Sequence, residues 1–197
     1  MREVVIVDSG GANLASLRYA LERLGARAQV SSDASTVRNA HRVLLPGVGA
    51  AASAMRRLQA LELVSVLRAL TQPVLGVCLG MQLLFERSEE GTTQCLGLLP
   101  DTVRRLTPRP GLPVPHTGWN TLEDLRSDPL LEGVSSGSYA YFVHSYAVRA
   151  TRETLASAEY GTSIAAVVRV RNFWGTQFHP ERSAGTGAQI LHNFLRL

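Results

Sequence analysis

The sequence predicts an α/β fold: a central mixed, mostly parallel sheet flanked by helices, with antiparallel strands added in the C-terminal half. Three observations predict it. Short β-rich runs alternate with stretches of helical spacing through the first half of the chain. The turns between them are tight and rich in glycine, as in Asp8-Ser9-Gly10-Gly11 and Pro46-Gly47-Val48-Gly49. Beyond Thr102 the runs follow one another with few helices between, which suits antiparallel pairing.

Residues 3–7 form the first expected strand, closed by the turn at Asp8. Leu14, Leu17, Leu21 and Leu24 then recur at helical spacing, with Asn13 as N-cap and Gly25 as the stop. Short strands are expected at 28–30 and 42–45. Residues 50–70 read as helix in two pieces, 74–77 as another apolar strand, and 80–86 as the start of a helix. In the second half, strands are expected at 102–106, 139–143, 154–158, 164–170 and 176–178. A final helix is expected at 187–195, with Ile190, Leu191 and Phe194 buried. Residues 107–115 hold four prolines and read as a loop. No repeat, low-complexity tract or linker divides the chain, so a single domain over residues 1–197 is expected.

The net charge of +4 and sequence pI of about 9.6 raise the possibility of nucleic-acid binding. The arginines, however, are scattered singly or in pairs such as Arg56-Arg57 and Arg104-Arg105, with no basic run interleaved with aromatics. No nucleic-acid partner is expected. No apolar run approaches the roughly 18 residues of a membrane helix. The start reads as a strand rather than a signal peptide, so no membrane partner is expected either. With only Cys78 and Cys95, a reduced, cytoplasmic protein without a disulfide is expected. The chain has no lysine, which excludes Schiff-base chemistry and a P-loop lysine. No metal and no cofactor are expected.

Cys78 carries the first sign of chemistry. It lies in Gly76-Val77-Cys78-Leu79-Gly80, after an apolar strand and before a helical stretch. A strand that turns abruptly into a helix strains the residue at its tip, and glycines two before and two after let neighbouring chain pass closely. Such a turn exposes its side chain at the carboxyl end of the sheet, where α/β proteins bind ligands. A helix N-terminus beneath the sulfur favours the thiolate, and the Leu79 amide points toward an oxyanion forming on a carbonyl substrate. Taken alone, the stretch also suits a buried structural cysteine. Cys95 sits in a loop without such a turn and reads as structural or incidental.

A thiolate nucleophile needs a base and a group that orients the base. Among five histidines, His41 reads as a surface residue and His192 as part of the last helix. His179 stands in Gln177-Phe178-His179-Pro180-Glu181-Arg182-Ser183, at the end of an expected strand. Pro180 holds His179 extended, and side chains at i and i+2 of extended chain face the same way. Glu181 can therefore reach the His179 ring, fix its tautomer and stabilise its charge. A surface ion pair is the alternative. The order nucleophile, histidine, acid argues against a thiol relative of the α/β hydrolases, where the acid precedes the histidine.

Gly76-Val77-Cys78-Leu79-Gly80-Met81-Gln82 together with Phe178-His179-Pro180-Glu181 resembles the class I (triad) glutamine amidotransferases. Narrower motifs resemble one branch, the glutaminase subunits of imidazole glycerol phosphate synthase. These are Leu45-Pro46-Gly47-Val48-Gly49-Ala50, Ser88-Glu89-Glu90-Gly91, Pro115-His116-Thr117-Gly118-Trp119-Asn120, Tyr141-Phe142-Val143-His144-Ser145-Tyr146 and Gln177-Phe178-His179-Pro180-Glu181-Arg182-Ser183. The resemblance runs from about Val4 to Phe194. It implies that Cys78 attacks the side-chain amide of glutamine, that His179 moves the proton, and that Glu181 holds His179. It implies an oxyanion hole from Val48, Gly49 and Leu79, completed by a peptide flip near Val48 or Gly49. Glutamine would be bound by Gly47, Gly49, Gln82, His144, Ser145 and Tyr146.

The resemblance also implies a partner: a cyclase subunit with a (β/α)8 barrel fold, which receives ammonia and makes imidazole glycerol phosphate and an aminoimidazole carboxamide ribotide. Asn13 and Trp119 match positions at that interface. The chain departs from the branch at Ser9 and Ala12, where many members carry Tyr and Gly, and at Arg182, where lysine is common. Two alternatives remain open: an amidotransferase subunit feeding anthranilate or p-aminobenzoate synthesis, and a non-catalytic scaffold of the same fold.

Overall fold

The computed structural model describes residues 2–10 and 14–197. In chain order the elements of the first half are β1 (Arg2–Val7), α1 (Leu14–Arg23), β2 (Ala26–Ser31), α2 (Ala34–Arg38), β3 (Val43–Gly47), α3 (Ala51–Ala60), α4 (Leu63–Ala69), β4 (Val74–Cys78), α5 (Leu79–Gln82), β5 (Phe85–Ser88) and β6 (Thr93–Gln94). There follow β7 (Leu99–Arg105), β8 (His116–Leu122), β9 (Ser138–His144), β10 (Tyr146–Ala147), β11 (Thr154–Glu159), β12 (Ser163–Val170), β13 (Phe173–Thr176) and α6 (Ala184–Phe194).

Seven strands form the central sheet, in the order β11-β12-β13-β4-β3-β1-β2. The run β13-β4-β3-β1-β2 is parallel, and β12 and β11 extend it antiparallel. The sheet is covered on both faces, so its central strands are apolar throughout and alternate residues serve opposite cores. Val4 and Ile6 of β1 join Leu17 and Leu21 of α1 and Ile190, Leu191 and Phe194 of α6. Val5 and Val7 turn the other way, to Met55 and Leu58 of α3 and Leu63 and Leu67 of α4. Two smaller sheets sit apart from it: β10-β7-β5-β6, and the antiparallel pair β8-β9. Among the described residues no helix is long and apolar enough to cross a membrane.

The expected fold class holds, with local differences. The strands expected near 102–106 and 139–143 belong to the small sheets rather than to the central one. The helix expected at 80–86 stops at Gln82, and β5 follows. The cause is long-range. Carbonyls of Leu83, Leu84 and Phe85 accept from the amides of Leu96, Leu98, Leu99 and Gly97, so they are taken before a helix can use them. The helix expected to favour a thiolate is therefore a single turn, and its dipole is correspondingly short. The strand expected at 176–178 lies earlier, at β13, after a tight turn in which Arg171 adopts φ 52°. The N-cap expected at Asn13 lies outside the described residues.

Candidate active site

Three neighbouring parallel strands, β13, β4 and β3, deliver their carboxyl ends to one place. In register, Gly47 stands beside Cys78, and Thr176 beside Val77. The segments leaving those ends are 47–50, 78–82 and 177–183. They meet because the strands are adjacent, although about a hundred residues separate Cys78 from His179.

Cys78 is the turning point between β4 and α5, with φ 54° and ψ −111°. Positive φ in a residue with a side chain is strained backbone, held here by close packing around it. A Cβ on Gly76 would lie 2.7 Å from the Gly80 carbonyl oxygen. One on Gly80 would fall on the Leu45 carbonyl, and one on Gly47 would lie 2.7 Å from the Gly80 amide nitrogen. The glycines around the cysteine are thus required by β3, β4 and α5 pressing on one another. Gly49 differs: a Cβ there would meet open space, and its φ of +90° is what calls for glycine.

The turn between β3 and α3 is tied at both ends. The buried Ser9 hydroxyl donates to the Pro46 carbonyl at 3.1 Å, and the Glu90 carboxylate accepts from the Ala51 amide at 2.8 Å. Nothing in the sequence alone marks either residue as a support for this turn. Ser9 lies 37 residues from its partner and Glu90 lies 39 from its own.

His179 is extended, with φ −95° and ψ 100°, as the following proline requires. Glu181 reaches its ring through a short 3₁₀ turn over Pro180–Arg182 rather than along extended chain. Nδ1 of His179 stands 2.9 Å from Glu181 Oε1, with both side chains buried. The loop is pinned to β9. His179 N–H donates to the Tyr141 carbonyl at 3.0 Å, and the Ser183 hydroxyl donates to the His179 carbonyl at 2.7 Å while accepting from Tyr141 N–H at 2.9 Å. Ser183 stands in the histidine motif, but only the fold shows it joining the loop to β9.

Burial opposes a charge on the His179 ring. The neighbouring Cys78 sulfur and the Glu181 carboxylate favour that charge and outweigh burial, and the ring is pushed up to about 10. Cys95 behaves in the opposite sense to a nucleophile: burial pushes its thiol up to about 11. Both cysteines are free.

Cys78 and His179 line one cavity of about 390 Å³, within the range of small-molecule sites. Val48, Gly49, Leu79, Gln82, His144, Ser145 and Tyr146 also line it, together with Glu90, Pro115 and Arg182. Two of the residues expected at the site do not line it: Gly47 begins the turn that does, and Glu181 stands against the His179 ring. Gln82 lies one helical turn beyond Cys78, and its Nε2 donates to the Tyr146 carbonyl at 2.8 Å and to Gln177 Oε1 at 3.0 Å. Gln177 Nε2 in turn stands 3.9 Å from Cys78 Sγ. Both ring nitrogens of His144 are engaged within the protein. Among the described residues no group of three or more His, Cys, Asp or Glu side chains could hold a metal ion.

Trp119 lies elsewhere. It stands half exposed on the outer face of β8-β9, beside Tyr141, whose ring Arg182 covers at 4.3 Å. Asn13 lies outside the described residues.

The model of the class-I glutamine amidotransferase family matches residues 5–197. The imidazole glycerol phosphate synthase subunit HisH of Xanthomonas oryzae is 55% identical over 197 residues, covering 100% of this chain and 98% of that protein. HisH of Xylella fastidiosa is likewise 55% identical, with the same coverage. Among solved structures, a glutamine amidotransferase aligns with a TM-score of 0.74 at 21% identity, covering 97% of this chain and 96% of that one. The glutaminase domain of Trypanosoma brucei CTPS aligns with a TM-score of 0.69 at 18% identity, covering 100% and 92%. At that identity the structures speak for the fold alone, while the family model and the relatives speak for the lineage. The chain belongs to the class-I glutamine amidotransferase family and, within it, to the HisH subunits of imidazole glycerol phosphate synthase.

Proposed function

We propose that the cavity is the glutaminase site and that Cys78, His179 and Glu181 are its triad. The observation that carries this is the convergence of a strained cysteine and a carboxylate-held imidazole on one small-molecule cavity. The Cys78 sulfur attacks the side-chain carbonyl carbon of glutamine. The thiol proton passes through the His179 ring to the departing nitrogen, which leaves as ammonia. Water then attacks the γ-glutamyl thioester, gives its proton to the ring, and releases glutamate and the free sulfur. Glu181 holds Nδ1 of His179 throughout, leaving Nε2 for the reacting atoms.

The oxyanion of each tetrahedral intermediate would be met by the Leu79 amide and by an amide of the turn at Val48 and Gly49. With the turn tied at Pro46 and Ala51, a flip is confined to the peptides between them. Gln82 commits two N–H donations to protein oxygens, so it offers a ligand its carbonyl oxygen, an acceptor suited to the α-ammonium of glutamine. His144 would act through its backbone with Ser145 and Tyr146, because its ring nitrogens are already used.

The chain is a glutamine amidotransferase subunit of imidazole glycerol phosphate synthase in histidine biosynthesis. We propose further that its partner is the cyclase subunit, folded as a (β/α)8 barrel, that it docks against the face carrying Trp119, and that the pair works in the cytoplasm. The half-exposed indole beside Tyr141 supports that placement, since exposed aromatic clusters mark interaction surfaces.

The test is Cys78→Ala in complex with the cyclase subunit. Glutamine-dependent synthesis should fall by roughly 10⁴-fold or more, and synthesis driven by added ammonia should be unchanged. A parallel loss of both activities would make Cys78 structural and overturn the triad.

A further inference from the structure

Behind Trp119, on the inner face of β8-β9, a second pair of imidazoles lies buried. His116 and His144 are register partners across the two strands, 3% and 6% exposed, and the triad uses neither ring. His116 Nδ1 stands 3.1 Å from His144 Nε2. The His116 ring is sandwiched between Phe142, with centroids 4.8 Å apart, and Tyr160, at 3.9 Å.

The protons of this pair follow from what surrounds it. His144 Nδ1 stands 2.9 Å from the Tyr146 carbonyl, which only accepts, so Nδ1 carries the hydrogen. In the neutral ring Nε2 is then bare and must accept, so His116 Nδ1 carries a hydrogen as well. Nε2 of His116 is bare in turn, and Asn120 Nδ2 faces it at 3.4 Å while also donating to the Glu159 carbonyl at 2.9 Å. A second proton on either ring would set two N–H groups against each other. Burial works in the same direction, pulling His116 down to about 4 and, with the neighbouring His116, His144 down to about 3.

The chain of donors does not end at His144. The Tyr146 carbonyl that receives its proton also receives Gln82 Nε2, which donates on to Gln177 Oε1. That fixes the Gln177 carboxamide with its nitrogen, not its oxygen, toward Cys78 Sγ. Gln177 and its neighbours are fully buried, so the orientation is set by these partners rather than by water.

We propose that His116 is a positioning residue: as a neutral Nδ1–H donor it locks the neutral Nδ1–H form of His144, which holds the Tyr146 carbonyl and through it the carboxamides of Gln82 and Gln177 against the nucleophile. This rests on the glutaminase reading of the cavity. Its advantage to the reaction is that the sulfur meets a hydrogen-bond donor on the Gln177 side. A rotated carboxamide would present an oxygen there, facing a group that must gain negative charge.

The first measurement is a long-range ¹H–¹⁵N correlation spectrum of the full chain with labelled histidine at pH 7. Both rings should appear as Nδ1–H with bare Nε2, the less common form of imidazole in water. An Nε2–H tautomer or a doubly protonated ring at either position would overturn the proposal. The second is kinetic, in complex with the cyclase subunit. His116→Phe keeps an aromatic ring between Phe142 and Tyr160 but has no donor, and should lower glutaminase kcat/KM by roughly tenfold or more, the loss expected when a buried acceptor is left unpaired. His116→Asn restores a side-chain N–H near the Nδ1 position and should recover most of that loss. If both variants lose stability alike and neither changes kcat/KM in the folded fraction, His116 only packs the core and the proposal fails. The spectra need no turnover, so wild-type protein with the stated tautomers but no glutaminase activity would strike the reading of the cavity and not the proton order.

Discussion

A histidine between a carboxylate and a sulfur is governed by opposing effects, and His179 shows which one wins. Desolvation disfavours its charge, yet Cys78 and Glu181 together raise the ring to about 10. Removing the sulfur leaves Glu181 alone against burial. In Cys78→Ala the His179 titration, followed by NMR, should therefore move down toward the ordinary imidazole value of about 6.5. A midpoint that stays near 10 would mean that the sulfur and the ring do not interact. Because the folded value lies above the ordinary one, the charged ring stabilises the fold most fully below about pH 6.5, and the contribution fades as pH rises through about 10. This pair is legible in the sequence, since His179, Pro180 and Glu181 are contiguous and proline restricts the residue before it. The sequence does not mark Gln177 or His116 as site residues. Their roles depend on partners 99 and 28 positions away, which no local pattern displays.

At the scale of elements, the glycines of the cysteine turn illustrate how packing is written into sequence. Gly80 is needed because β3 runs directly over it, and backbone cannot retreat as a flexible side chain can. Gly80→Ala should destabilise the fold by about 1–3 kcal/mol or more and abolish glutaminase activity by displacing the cysteine turn. Gly185→Ala, in α6 with nothing within 4 Å of the new methyl, should be neutral or slightly stabilising. Thermal melts of the two variants check this; equal melting temperatures would contradict it. The same paired glycines make the turn recognisable from the residues alone. Elements whose limits are set by distant chain are harder to read. The stop of α5 at Gln82 depends on amides of residues 96–99, so the apolar run after Gly80 reads locally as continuing helix. β8 leaves little local trace because its partner, β9, supplies the pairing and its own residues include Gly118 and Asn120.

At the scale of the whole molecule, the site depends on strand order. The α/β class is legible from alternation, because a sheet covered on both faces needs apolar strands and amphipathic helices in turn. What alternation does not state is that β13, formed late in the chain, inserts beside β4 and between it and the antiparallel edge. That insertion carries His179 to Cys78, while Cys95 stays buried in the second core. On the proposed reading of the cavity, reactivity at a single cysteine is a property of the assembled sheet. The direct test is to treat the protein, in complex with the cyclase subunit, with a glutamine analogue bearing a γ-chloromethyl ketone and to map the adduct by peptide mass spectrometry. One adduct is expected, on Cys78, slowed strongly in His179→Ala, and none on Cys95. An adduct on Cys95, no adduct at all, or labelling of Cys78 indifferent to His179 would contradict it.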